Sequence, residues 1–202
     1  MIEKAFVNSQ EFKRLIESVS DFMGKENNAQ YPYMNWIQLE IDKAALTVTA
    51  FANDGHKVAI GAARLTSATN DFACLIKKEI PIITKLCPDV VIELENGQVL
   101  LKAQERLVGY VQPLIVMADY KFMIDKHEQS KSAVTMISLD SAKLKKVINS
   151  IESDTISEVY IESEKDPFVI EFLNKQGLKE YRILMPVKPK TKGDKCDADQ
   201  VE

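Results

Sequence analysis

Catalysis needs side chains that can converge, and this chain has few candidates. Among its 202 residues are two histidines, His56 and His127, and three cysteines, Cys74, Cys87 and Cys196. The odd cysteine count, without metal-type spacing, reads as free thiols packed as small hydrophobes rather than as disulfides or a zinc site. No glycine-rich phosphate loop, HExxH or CxxC motif occurs. His127 sits in the polar run Lys126-His127-Glu128-Gln129-Ser130-Lys131-Ser132 and reads as solvated. The carboxylates of Glu40-Ile41-Asp42 and Glu93-Leu94-Glu95 alternate as solvent-facing strand residues do. The chain is therefore expected to be no enzyme and to need neither metal nor cofactor.

What remains is chemistry of contact. Asn53-Asp54-Gly55-His56 separates two apolar runs, and its glycine supplies the positive φ that a tight hairpin requires. That turn needs no function to explain it. Met185-Pro186 ends the last apolar run, where a proline without an N–H is tolerated only at a strand end or edge. Lysines gather on three segments that read as helices, although lysines on any exposed helix face also merely solvate it.

The elements that would hold these residues come as one unit repeated three times: a short strand, an amphipathic helix, then strands joined by tight polar turns. The first copy starts at Ala5-Phe6-Val7. Its helix carries Phe12, Leu15, Ile16, Val19, Phe22 and Met23 at helical spacing, and Asn8 with Glu11 resembles a capping box. Strands are expected at 36–41, 46–51 and 57–60, with Asp54-Gly55 as the hairpin signal. The second copy spans 72–114, with a helix over 79–86 that admits Pro81 in its first turn, and strands at 90–94, 99–103 and 107–111 around an Asn96-Gly97 turn. The third begins at 134–137; Asp140 would cap a helix bearing Leu144, Val147, Ile148 and Ile151, and strands follow at 159–161, 168–172 and 181–187.

An apolar content of 46% suits an ordinary globular chain. The absence of an apolar run of about 18 residues and of a signal-peptide pattern implies a cytoplasmic protein without a membrane partner. The net charge of −4 excludes a uniformly basic nucleic-acid binder but not one with a basic face. The polar break at 127–133 reads as a linker, and the aperiodic residues 189–202 read as a disordered tail.

Residues 51–60, Phe51-Ala52-Asn53-Asp54-Gly55-His56-Lys57-Val58-Ala59-Ile60, resemble the A-T-D-G-H-R-L-A segment of the bacterial DNA sliding clamp family, the beta subunit of DNA polymerase III. Residues 114–121, ending in Ala118-Asp119-Tyr120-Lys121, stand where that family has a segment ending in aspartate and tyrosine, and Ala118 replaces its proline. Residues 181–188, Tyr181-Arg182-Ile183-Leu184-Met185-Pro186-Val187-Lys188, are similar to its terminal Y-V-x-M-P-M-R. The resemblance implies an α+β processivity-clamp (DNA clamp) fold of three strand-helix-strands units. Residues 1–126 would form a complete clamp-type domain like the family's middle domain, and residues 134–188 a half-domain like the second half of its last.

The same resemblance implies two sites. Family helices line a channel around duplex DNA, which would direct Lys13, Arg14, Lys25, Lys77, Lys78, Lys85, Lys143, Lys145 and Lys146 toward phosphates without reading bases. A groove for short apolar and aromatic peptides of polymerases and clamp loaders would have one wall from Met34, Asn53, Gly55, His56, Lys57 and Val58. Met123, Ile183, Met185, Pro186, Val187 and Lys188 would make the other, with methionines that repack around different partners. The expected function is a non-catalytic replication processivity factor that associates with duplex DNA independently of sequence and forms a homo-oligomer. The alternative is a clamp-derived, peptide-binding adaptor or competitor that does not encircle DNA.

Overall fold

The computed structural model describes residues 2–24, 32–81, 88–113, 119–122, 124–125, 141–151, 157–160 and 167–185. In chain order the elements are β1 (Glu3–Asn8), α1 (Ser9–Ser20), a 3-10 turn (Pro32–Asn35), β2 (Ile37–Asp42), β3 (Thr47–Asn53), β4 (Lys57–Ala68), β5 (Phe72–Ile76), β6 (Asp89–Glu95), β7 (Gln98–Ala103) and β8 (Arg106–Val111). Then come α2 (Ser141–Asn149), β9 (Ser157–Tyr160), β10 (Phe168–Leu173) and β11 (Lys179–Leu184).

Asn8 caps α1 through its side-chain oxygen, which accepts from the Gln10 and Glu11 N–H groups at 3.0 and 3.3 Å. The reciprocal half of the expected capping box is not made, because Arg14 Nε takes the Glu11 carboxylate at 3.1 Å. Phe12, Leu15, Ile16 and Val19 form the buried stripe of the helix, as their spacing predicts.

All strand pairs are antiparallel, in the order β5-β2-β3-β4-β1-β6-β7-β8. The two ends of this array curl toward each other. The Gln112 side-chain amide donates to the Leu75 carbonyl at 2.8 Å and accepts from the Leu75 N–H at 2.7 Å, so one side chain stands in for a strand where β8 approaches β5. Trp36 and Tyr110 meet edge to face across the same seam, 6.3 Å between centroids.

β4 is the strand shared between the repeats. Its residues 57–60 pair with β11 and its residues 65–68 pair with β1, while β3 runs along its other side. Between those two partners the backbone of β4 is met by side chains. The Ala62 carbonyl accepts from Arg14 Nη2 at 2.7 Å and from Asn174 Nδ2 at 2.9 Å, and the Arg64 N–H donates to Gln176 at 3.0 Å. This double occupancy explains why β4 continues to Ala68 although the sequence reads as a strand ending at Ile60: tertiary pairing overrides the poor strand propensity of Gly61-Ala62-Ala63.

Two further differences are local. Leu46, expected to open a strand, instead turns with φ 52°, and its carbonyl accepts from the Leu65 N–H at 2.8 Å. Residues 77–81 are not helical, and the remainder of the helix expected over 79–86 lies outside the described residues, as do the strand at 134–137, Asp140, the linker and the tail.

The sheet around β4 and β11 buries both faces. α1 covers Ala59, Gly61 and Ala63 on one, where a Cβ on Gly61 would lie 3.0 Å from Leu15. On the other, Phe51, Val58, Ile60, Val169, Tyr181 and Ile183 cluster beneath Tyr120.

Candidate functional site

The β3–β4 turn is built for rigidity. Gly55 sits at φ +85°, Asp54 accepts from the His56 and Lys57 N–H groups at 3.0 Å each, and Asn53 accepts from the Gly55 N–H at 3.3 Å. Lys57 points inward: its ammonium pairs with Asp54 at 3.4 Å, lies 4.7 Å over the Phe22 ring and donates to the Asp21 carbonyl. The turn is thereby tied to the end of α1. Met34 packs on the turn from outside, its methyl 3.3 Å from where a Gly55 Cβ would lie.

The second expected wall reaches the same turn through β11. Ile183 stands opposite Val58 in register, and the Met185 N–H donates to the His56 carbonyl at 3.0 Å. Thus Met34, Asn53, Gly55, His56, Lys57, Val58, Ile183 and Met185 are brought together, while Met123, Pro186, Val187 and Lys188 lie outside the described residues. Met185 is 38% exposed beside the exposed His56, whereas Val58 and Ile183 belong to the buried cluster. Tyr120 stacks on Phe51 at 5.2 Å over this cluster. Burial, with Glu40 beside it, pushes the Tyr120 phenol well above its usual range, so its O–H keeps its proton. The exposed Phe122 follows two residues later.

The basic residues lie on the other face. Arg182 stands opposite Ala59 in register, on the side that α1 covers, and is bonded to Ser150 at the end of α2. Both helices therefore occupy one face of the β4–β11 sheet, and the Met185–His56 strip belongs to the turn at its margin. Lys13 pairs loosely with Glu17 at 3.8 Å, and with Lys78, Glu17 and Glu79 it rims a concavity of about 410 Å³ beside α1. Lys143 is half-buried and Lys145 and Lys146 are exposed on α2. Arg14 and Lys77 are tied inward. Arg14 bonds Glu11, Glu180 at 3.0 Å and the Ala62 carbonyl, while Lys77 donates to the Asn35 carbonyl at 2.9 Å and lies 4.2 Å over Trp36. Lys25 and Lys85 lie outside the described residues.

Sequence reading missed the connection between helix face and pocket turn. Arg182, fully buried, donates to the Ser150 hydroxyl at 3.0 Å, the Ile60 carbonyl at 3.0 Å and Glu180 at 3.3 Å, between the rings of Phe22 and Phe172. Burial holds its guanidinium below the ordinary arginine value, against the opposing pull of Glu180. At Arg14 burial also works against the charge, but Glu180 and Glu11 outweigh it and hold the value above the ordinary one. The signal available in the sequence was the alternation Glu180-Tyr181-Arg182 inside an otherwise apolar last strand.

Among the described residues no cluster of histidine, cysteine or carboxylate groups could hold a metal, and no helix is long and apolar enough to cross a membrane. No family model matches the chain, and no curated protein matches it in sequence. Solved structures do. The DNA polymerase sliding clamp from Bacillus subtilis is similar at a TM-score of 0.71 and 13% identity, over 92% of this chain and 64% of that one. The DNA polymerase III beta subunit from Thermotoga maritima gives 0.71 and 13%, over 92% and 65%. The Helicobacter pylori beta clamp bound to a DNA ligase peptide gives 0.69 and 9%, over 92% and 66%. The α+β clamp fold that the resemblance implied is the fold of this chain, which spans about two-thirds of the length of these clamps.

Proposed function

We propose that the chain is a sliding-clamp-like, non-catalytic processivity factor that holds polymerase-type partners near duplex DNA. Residues 1–126 act in this reading as a clamp-type domain and residues 134–188 as a half-domain. The observation that carries it is the division of labour about the β4–β11 junction: α1 and α2 with their lysines on one face, and Met34, His56 and Met185 gathered at the turn. Lysines that only neutralise phosphates suit a protein that must slide, because counterion release does not depend on sequence. An exposed methionine beside a stiff turn suits capture of a short apolar and aromatic peptide, and the similar Helicobacter pylori clamp is bound to a peptide, that of a DNA ligase.

The second reading, an adaptor that binds such peptides without holding DNA, is favoured by the inward ties of Arg14 and Lys77, which leave fewer cations on the helix face. One experiment separates the two: fluorescence anisotropy of a labelled ligase-type peptide and of a labelled duplex, each against the full chain. Met185→Ala and His56→Ala should each weaken the peptide about tenfold. Joint replacement of Lys13, Lys78, Lys145 and Lys146 by alanine should weaken the duplex and flatten its salt dependence. Peptide binding without duplex binding selects the adaptor, and unchanged peptide affinity in both pocket variants removes the pocket.

A further inference from the structure

We infer that Lys57 is a positioning residue of the peptide turn: it sets the conformation of Asp54-Gly55-His56 from the end of α1 and does not itself touch the peptide. The inference rests on the peptide-binding reading of that turn. Alternation along β4 decides the direction of the side chain. Val58 and Ile60 join the cluster beneath Tyr120, so Lys57 shares the opposite face with Ala59, Gly61 and Ala63, under α1. Only 6% of Lys57 is exposed, whereas Gly55 and His56 on the turn are exposed.

A buried ammonium is costly unless its donors are taken up, and the partners of this one show why it is tolerated. α1 carries no basic residue in its last turn, where a cation favours the unpaired carbonyls of a helix end. Lys57 supplies that cation from another strand, donating to the carbonyl of Asp21, the C-cap residue, above the ring of Phe22. Its third partner is Oδ2 of Asp54, whose Oδ1 takes the His56 and Lys57 N–H groups. The His56 carbonyl in turn accepts from the Met185 N–H. One chain of polar contacts thus runs from the end of α1 through Lys57, Asp54 and His56 to Met185. Without the ammonium, the Asp54 carboxylate loses the charge that orients it, and the turn loses its hold on α1. Phe22 is fully buried, so it can affect a bound peptide only through what it holds.

The test is fluorescence anisotropy of the labelled ligase-type peptide against the full chain and its variants, with circular dichroism confirming that each is folded. Lys57→Met keeps the apolar stem and removes the ammonium; it should raise the dissociation constant at least about fivefold. Lys57→Arg, which restores a cation over Phe22, should bring the constant back to within about twofold. Phe22→Leu should weaken the peptide as well, and Phe22→Leu/Lys57→Met no more than the worse single change, because both break the same chain of contacts. Amide hydrogen exchange at His56, measured without peptide, should be faster in Lys57→Met and in Phe22→Leu than in the unaltered chain. Unaltered affinity in Lys57→Met overturns the inference. So does a loss of affinity in Lys57→Met with none in Phe22→Leu, the pattern of a direct contact, and so does unchanged exchange at His56. An unaltered chain that binds no peptide refutes the pocket reading instead, and exchange at His56 then decides alone whether Lys57 holds the turn.

Discussion

Arg182 carries its charge into a place that water does not reach, and what makes this tolerable is a closed set of acceptors: Glu180, the Ile60 carbonyl and Ser150. Glu180 in turn serves Arg14 and Asn174, so one carboxylate balances two guanidinium groups. Glu180→Ala should cost about 3–5 kcal/mol in denaturant unfolding, because it leaves Arg182 buried without its counter-charge. A loss below about 1 kcal/mol would show that the backbone carbonyls suffice. Burial, with Glu3 nearby, pushes the Cys74 thiol from 9.0 up to about 12, and burial with Glu79 pushes the Tyr110 phenol from 10.0 up to about 12. Both folded values lie above the unfolded ones, so the folded state prefers the protonated forms. The stability they confer is fully present below pH 9 and is lost as pH rises from 9 toward 12. Denaturation midpoints measured across that window should fall, and in Cys74→Ala the fall should be smaller; an identical pH profile in that variant would contradict the assignment. Neither charge network was legible in the sequence beyond the odd placement of Arg182, because Arg14 meets Glu180 across 166 positions and Arg182 meets Ile60 across 122.

At the scale of elements, local rules went far where local forces decide. Asn8, the apolar stripe of α1 and the Asp54-Gly55 and Asn96-Gly97 hairpins all appear where spacing and turn chemistry put them. The end of β4 did not, because its continuation depends on β1, on Arg14 of α1 and on side chains from the third repeat. The seam between β5 and β8 was equally hidden: nothing in the order of residues says that a glutamine amide will act as a strand. Gln112→Ala should leave the Leu75 N–H and carbonyl without their partner, destabilise the chain by about 1–3 kcal/mol and speed hydrogen exchange at the Leu75 amide. Unchanged exchange at that amide would mean that β5 is held by β2 alone.

For the whole molecule, the repeat pattern was the decisive reading, since three copies of one unit limit the ways a sheet can be laid out. The repeats did not disclose their arrangement, in which the first and third units share one continuous stretch of sheet at β4. That sharing has a consequence for how the chain matures. A ribosome delivers residues 57–60 long before residues 181–184, so the newly made first unit must persist with one edge of the first third of its longest strand bare. Contacts separated by more than a hundred positions also form late on refolding, since closing so long a loop is slow. Pulsed hydrogen exchange during refolding should therefore find the amides of β11 gaining protection after those of β1 and β6, and simultaneous protection would contradict this order. The interval in between is when the chain is most open to mispairing with its neighbours.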